Sequence, residues 1–229
     1  MLRVNVIIPA YNEELSIGKV VAAIPAFVDD VIVVNNNSSD STAETASLAG
    51  ATVLHEPKPG YGHACLKGIA HASAKPAASR PDVIVFLDGD FSDFPHEMDV
   101  LLKPIVDGHA EMVIGTRVLG KREAGSLLPQ QLFGNWLATK LLHLLYGVTY
   151  TDLGPFRAIK LDTLLALNMQ DRTYGWTVEM QAKAAKQHVR YAEVPVSYRK
   201  RIGVSKVSGT IKGTVLAGYK IIFTIFRYM

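Results

Sequence analysis

Two carboxylates flank a single glycine at Asp88-Gly89-Asp90, directly after the apolar run Val83-Ile84-Val85-Phe86-Leu87. An unbroken apolar run of that length suits a strand covered on both faces of a parallel sheet. Open α/β folds place their ligand crevice where such a strand leaves the sheet. Side chains two residues apart on a turning backbone can aim at one point, and Gly89 leaves room for close approach. Paired, accessible carboxylates are hard oxygen ligands for a divalent cation that also holds a diphosphate. The plain alternative is a solvated Asp-Gly turn; the strand before it favours the cation.

Other polar residues sit at the ends of apolar runs. Pro9-Ala10-Tyr11-Asn12-Glu13 closes the first run. Pro9 lacks an N–H and ends the strand ladder. Tyr11 offers a ring to stack on a base, and Asn12 and Glu13 offer polar atoms to bind one. As an ordinary strand-to-helix turn, the same stretch would use Asn12 as an N-cap. The short polar residues from Asn35, Asn36 and Asn37 through Asp40, Ser41 and Thr42 follow the second run, where they can cap a helix and reach a ligand. Lys58-Pro59-Gly60-Tyr61-Gly62 follows the third, and its glycines let backbone N–H groups approach a phosphate or ribose. The spacing matches neither a dinucleotide fingerprint nor a P-loop.

These loops need a sheet to hold them. Strand-like runs at 4–8, 31–34, 52–54, 83–87 and 112–114 alternate with helix-like stretches at 13–24, 39–48, 61–74 and 97–106. Such alternation argues an α/β fold with a parallel sheet and helices on both faces. Further on, 131–146 reads as a helix apolar around most of its circumference. A strand at 156–159, helices at 162–167 and 177–187, a strand at 189–196 and a basic loop at 198–208 follow. The stretch 210–229 is amphipathic, with Lys220 and Arg227 on one side and Leu216, Phe223 and Phe226 crowding much of the rest. It is too short and too interrupted to span a bilayer, but it suits an in-plane surface contact as well as it suits a packed helix.

The chain of 229 residues, 48% hydrophobic, is long enough for one sizeable core. Its single cysteine, Cys65, excludes an internal disulfide framework and fits a small apolar filler in a reducing compartment. The N-terminus turns polar too soon for a secretory signal. No acidic residue follows Glu193, and seven bases lie beyond it, on a body that is otherwise mildly acidic. That asymmetry suits an anionic partner or a solvated basic face. Nucleic acid is disfavoured, because the basic stretch carries no recognised binding module.

Taken in order, these motifs resemble glycosyltransferase family 2, whose members are inverting sugar-nucleotide transferases of the GT-A fold, which implies a single α/β domain with a Rossmann-like mixed sheet, mostly parallel, flanked by helices. Within it the chain is most similar to the dolichyl- or polyprenyl-phosphate mannose and glucose synthases. Ile114-Gly115-Thr116-Arg117, Asp152-Leu153-Gly154-Pro155-Phe156-Arg157, Glu193-Val194-Pro195-Val196 and Gly203-Val204-Ser205-Lys206 resemble later segments of that branch. The resemblance implies a catalytic domain over 1–208, with a donor half at 1–116 and an acceptor half at 117–208, and a surface helix at 209–229. It implies a nucleotide-sugar site at Pro9, Tyr11, Glu13, Asn35, Asn36, Gly62, Lys67, Asp88, Gly89, Asp90 and Lys206. Asp88 and Asp90 would hold Mg²⁺ or Mn²⁺, and Arg117, Arg199 and Arg201 would meet the acceptor phosphate. The expected donor is of the UDP-glucose or GDP-mannose type, the acceptor a polyprenyl phosphate, and the location the cytoplasmic membrane face.

Two positions depart from the family's pattern. Asn35-Asn36-Asn37 stands where Asp-Asp-Gly or Asp-Asn-Gly is usual, and Ser92 stands where the branch often has Gln. A sugar-hydroxyl acceptor would need a general base. Asp152 and Glu179 are the carboxylates for that role, although a turn or cap role for Asp152 and pairing with a buried arginine for Glu179 rank above it. A non-catalytic nucleotide- or phospholipid-binding module is the remaining reading, supported by the amide triplet and opposed by Asp88 and Asp90.

Overall fold

All seven residues of the first strand, β1 (Val4–Ala10), are buried, as expected of a strand covered on both faces. The computed structural model describes residues 2–203 and 211–229. β1 lies in the interior of a seven-stranded sheet with β2 (Asp30–Asn35), β3 (Thr52–His55), β4 (Val83–Phe86), β5 (Met112–Thr116), β6 (Arg157–Lys160) and β7 (Tyr191–Pro195), in the order β3-β2-β1-β4-β6-β5-β7. β1 is parallel to β2 and β4, β2 to β3, and β5 to β7. β6 runs antiparallel to both its neighbours, β4 and β5. The sheet is therefore mixed but mostly parallel.

The chain winds from β1 outward through β2 and β3, then returns to place β4 on β1's other side. The carboxyl ends of β1 and β4 thus flank a switch point, where a crevice opens.

Helices α1 (Ile17–Ala22), α2 (Thr42–Leu48), α3 (Tyr61–Ser73), α4 (Met98–Val106), α5 (Pro129–Tyr146), α6 (Leu161–Leu167), α7 (Trp176–Lys186) and α8 (Ile211–Arg227) cover the sheet. Because side chains alternate along a strand, β1 feeds two apolar layers. Ile7 packs with Cys65, Phe86, Leu142, Trp176 and Ile225 on one face. Val6 and Ile8 pack with Ile17, Val85, Met98 and Leu101 on the other.

α1 begins later than its apolar spacing predicts, and Asn12 is not its cap. Asn12 adopts a left-handed φ of 53°, and the helix is led by Ser16. Hydrogen bonds explain the delay. The Asn12 N–H donates to Ser38 Oγ at 2.9 Å and the Glu13 N–H to Thr42 Oγ1 at 2.8 Å, so the backbone is tied to the loop after β2 before a helix can start. Thr42 is itself held by Asp40, whose Oδ1 accepts from the Thr42 N–H at 3.0 Å.

α8 is fastened by polar contacts. Lys220 Nζ lies 2.8 Å from Asp171 Oδ2, Tyr228 Oη donates to Glu179 Oε1 at 2.8 Å, and Tyr146 Oη donates to the Ile225 carbonyl. None of the helices, among the described residues, is long and apolar enough to cross a membrane.

Candidate active site

Past β4 the chain turns sharply, with Phe91 at a φ of 62°, and three carboxylates crowd the turn. Asp88 Oδ1 accepts from Tyr61 Oη at 3.1 Å. Asp90 Oδ1 accepts from both the N–H and the Oγ of Ser92, at 2.9 and 2.5 Å. Asp90 Oδ2 faces Arg201 Nη2 at 3.2 Å, and the same nitrogen lies 3.2 Å from Glu13 Oε1. Asp93 is buried, and its Oδ1 accepts no hydrogen bond among the described residues. Burial, then the negative charge of Asp90, pushes the Asp88 carboxyl up to about 7. Burial and the charges of Asp88 and Asp90 raise Asp93 as well. Burial and mutual repulsion thus make it costly for the carboxylates of this turn to be charged together.

A cavity of about 570 Å³ opens over this turn. One wall holds Pro9, Tyr11, Glu13, Asn36, Gly60 and Tyr61, with Asp88, Gly89 and Asp90 at the base. Tyr11 is 47% exposed, free to present its ring. Arg117 and Tyr198 stand opposite, and α5 and α8 close the outer side through Gly134, Asn135, Ala217, Gly218 and Ile221.

Arg117 is aimed by Asp152, which accepts from its Nε at 2.8 Å and its Nη2 at 2.7 Å. The Tyr198 ring lies 5.1 Å below the guanidinium. Burial would lower the Arg117 pKa, but the Asp152 carboxylate outweighs it and keeps the cation charged. Asp152 is likewise raised by burial yet held below the usual carboxylate range by Arg117. Its oxygens are committed, and it does not line the cavity.

Several residues expected to do chemistry are structural pins instead. Glu179 is fully buried away from the cavity, where it binds Lys183 Nζ at 2.7 Å, Tyr228 Oη, and the N–H groups of Gln170 and Asp171. Its partner is a lysine one turn along its own helix, not an arginine. Arg199 stacks on the rings of Phe91 and Phe94 at 3.5 and 4.2 Å and donates to the Phe91 and Asp93 carbonyls, outside the cavity. It shapes the acidic turn and does not line the cavity.

Asn35 spends its amide on the Ser38 N–H and on His55 Nδ1. Asn36 reaches the cavity edge, but its Nδ2 donates to the Glu56 and Lys58 carbonyls and its Oδ1 accepts from the Gly60 N–H. Asn37 takes the left-handed φ of 62° that a glycine would otherwise supply. Lys67 is exposed on α3 and does not line the cavity. Lys206 lies outside the described residues.

Gly62 is buried for a different reason than phosphate approach. A Cβ there would stand 2.1 Å from the Asp171 carbonyl oxygen, and one on Gly60 would stand 2.2 Å from that of Arg172. Both glycines let α3 start directly against the 171–172 backbone. Tyr61, between them, is the residue of this loop that meets Asp88. Tyr61, Tyr198 and Asp93 escaped sequence reading because nothing in local spacing sets an aromatic or a third carboxylate apart.

The model of the family described as "Glycosyl transferase family 2" matches residues 5–165. This chain is a member of glycosyltransferase family 2. As a family 2 glycosyltransferase it is a transferase enzyme, and its similarity runs nearly end to end. An uncharacterized glycosyltransferase of Mycobacterium tuberculosis is 35% identical over 216 residues, covering 93% of this chain and 94% of the relative. Undecaprenyl-phosphate mannosyltransferase of Micrococcus luteus is 31% identical over 227 residues, covering 93% and 90%. The solved structure of Mycobacterium tuberculosis glucosyl-3-phosphoglycerate synthase, in complex with Mn²⁺, UDP-glucose and phosphoglyceric acid, superposes with a TM-score of 0.77 at 21% identity. It covers 99% of this chain and 79% of the neighbour. The fold is that of the GT-A glycosyltransferases.

Proposed function

We propose that this family 2 enzyme moves a hexose, with inversion, from a nucleotide-sugar of the UDP-glucose or GDP-mannose type to a polyprenyl phosphate at a membrane surface. One observation carries the reading: a single cavity joins the acidic turn of Asp88 and Asp90 to Arg117 and to the walls of α5 and α8. The outer faces of those helices expose Phe133, Trp136, Tyr219, Phe223 and Phe226. An acceptor with an anionic head and an apolar tail matches that sequence of surfaces. The name of the Micrococcus luteus relative supports the same class.

The acidic turn fits a divalent cation. Its oxygens are hard donors, Asp93 Oδ1 is buried without a partner among the described residues, and Asp88 is raised by burial and by its neighbour's charge. No three His, Cys, Asp or Glu side chains are grouped to hold a metal ion among the described residues. Asp88 and Asp90 would therefore hold Mg²⁺ or Mn²⁺ together with the donor's diphosphate, as such ions usually bind. When bound, the ion would stabilise negative charge on the departing diphosphate.

The protein's own groups do the rest. Arg201 lies within reach of the same charge. Tyr11 and Pro9 stand where the nucleoside would lie. Arg117 keeps a planar cation fixed by Asp152 for the acceptor phosphate. A phosphate monoester, with a second pKa of about 6, is already anionic near neutrality and needs no general base. That agrees with Asp152 and Glu179, which lie outside the cavity with their oxygens committed, and it disfavours a sugar-hydroxyl acceptor that would need either of them as its base.

Transfer of labelled sugar from UDP-glucose and GDP-mannose, with Mg²⁺ or Mn²⁺, to a short polyprenyl phosphate tests the proposal. Product from one donor is expected. Transfer only to a soluble phosphorylated acid such as phosphoglycerate would overturn the lipid acceptor.

A further inference from the structure

We propose that the cleft between α8 and the 169–173 loop binds the headgroup phosphate of an anionic phospholipid, making the enzyme selective for negatively charged bilayers. The inference rests on the membrane-surface reading of α8. The cleft is separate from the donor cavity and measures about 550 Å³. Arg172, Lys220 and Arg227 line it against one carboxylate, that of Asp171, and Leu66 and Met169 add an apolar part to the wall. Lys220 is committed to Asp171, whose Oδ2 lies 2.8 Å from its ammonium. Neither Arg172 nor Arg227 has a carboxylate partner among the described residues; Arg227 lies 5.5 Å from the Tyr228 ring centre. Two guanidiniums are thus left facing one concavity, with the forked geometry that pairs with phosphate oxygens.

Position on the helix favours a lipid over a free phosphate. Lys220 and Arg227 are seven residues apart, two turns along α8, and so share a side. Tyr219, Phe223 and Phe226 are 68%, 46% and 51% exposed on the neighbouring side. A phosphate seated in the cleft would leave its acyl chains beside those rings. Basic residues at the edge of an apolar helix face occupy the depth at which lipid headgroups lie.

Vesicle sedimentation tests the proposal, with phosphatidylcholine alone or mixed with phosphatidylglycerol. The wild-type chain is expected to bind the mixed vesicles about tenfold tighter or more. The double variant Arg172→Glu/Arg227→Glu is expected to lose that preference while keeping its melting temperature and its weak binding to neutral vesicles. Arg172→Gln/Arg227→Gln should fall between the two. Equal wild-type binding to both vesicle types, or an undiminished preference in the double variant, would overturn the headgroup site and leave the apolar contact standing. Release from mixed vesicles by millimolar inorganic phosphate at constant ionic strength would assign the cleft to free phosphate instead. Absence of binding to either vesicle would remove the membrane-surface reading itself, whatever soluble short-chain acceptor the enzyme uses.

Discussion

Arg201 holds Asp90 by a single nitrogen, Nη2 to Oδ2 at 3.2 Å, and reaches across to Glu13 with the same nitrogen. The guanidinium thereby places a positive charge against Asp90 Oδ2, one of the oxygens a cation would use. Arg201→Ala should bind Mn²⁺ about tenfold tighter in the absence of donor, because a competing cation is gone. The same variant should transfer sugar about 10²-fold more slowly, because a charge facing the departing diphosphate is also gone. Calorimetric titration and turnover on one preparation check both. Unchanged Mn²⁺ affinity would mean that the contact does not compete.

Asp88 gives the ligand-free enzyme an inverted pH response. Its folded pKa of about 7 lies above the unfolded value of about 3.9, so the folded state binds the proton more tightly. This group's contribution to stability is therefore greatest below pH 4 and is lost as pH rises to about 7. Asp88→Asn keeps an acceptor for Tyr61 and removes the charge. It should melt higher than wild type at pH 8, by about 2–4 °C for each kcal/mol relieved, with the gap closing toward pH 4. Metal-dependent nucleotide binding should disappear in the same variant. Thermal melts at several pH values, with and without Mn²⁺, read both effects.

Gly134 and Gly218 sit in the middle of helices, where glycine costs about 1 kcal/mol relative to alanine. A Cβ at either would meet nothing within 4 Å, and both line the cavity. The space they leave lies on the path an acceptor tail would take out of the site. Gly134→Ala and Gly218→Ala should raise stability by about 0.5–1 kcal/mol. Gly134→Leu or Gly218→Leu should fill the slot and raise the KM for a long polyprenyl phosphate by about tenfold or more, with donor affinity little changed. Chain-length series of acceptors would show the loss growing with length.

Glu179 separates a structural carboxylate from a catalytic one. Glu179→Gln leaves Lys183 buried without its counter-charge, a defect that typically costs 3–5 kcal/mol. The melting temperature should fall by roughly 10 °C. Below the melt, kcat should stay within about threefold of wild type, whereas a general base would cost 10²–10⁴. Turnover at low temperature together with a melting curve decides between them.

Much of this was readable before any coordinates. Apolar runs ending in Pro9 and in Asp88 placed the crevice at the ends of β1 and β4, because a doubly covered strand needs an unbroken apolar run and its ends must carry the polar groups. What escaped depended on contacts distant in sequence. The antiparallel course of β6 leaves no mark on its four residues; the mixed sheet follows from the family resemblance and not from their pattern. Arg199 and Glu179 look like chemistry by type, and only the aromatic pair Phe91 and Phe94, or the far end of α8 at Tyr228, reveals them as fasteners. Asn36 is similar: its amide matches a base-reading role, yet three backbone groups from the loop after β3 consume it.

The close seating of Gly60 and Gly62 on the Asp171–Arg172 backbone has a mechanical corollary. One short stretch is the common footing of the loop beside Asp88 and of the helix that Asp171 grips through Lys220. A displacement of α8 passed on through Lys220 and Asp171 has a single peptide unit to cross before it reaches the loop beside Asp88. Any free energy shared between those two ends must appear equally in both: lipid contact that tightens donor retention would, by the same factor, be tightened by donor.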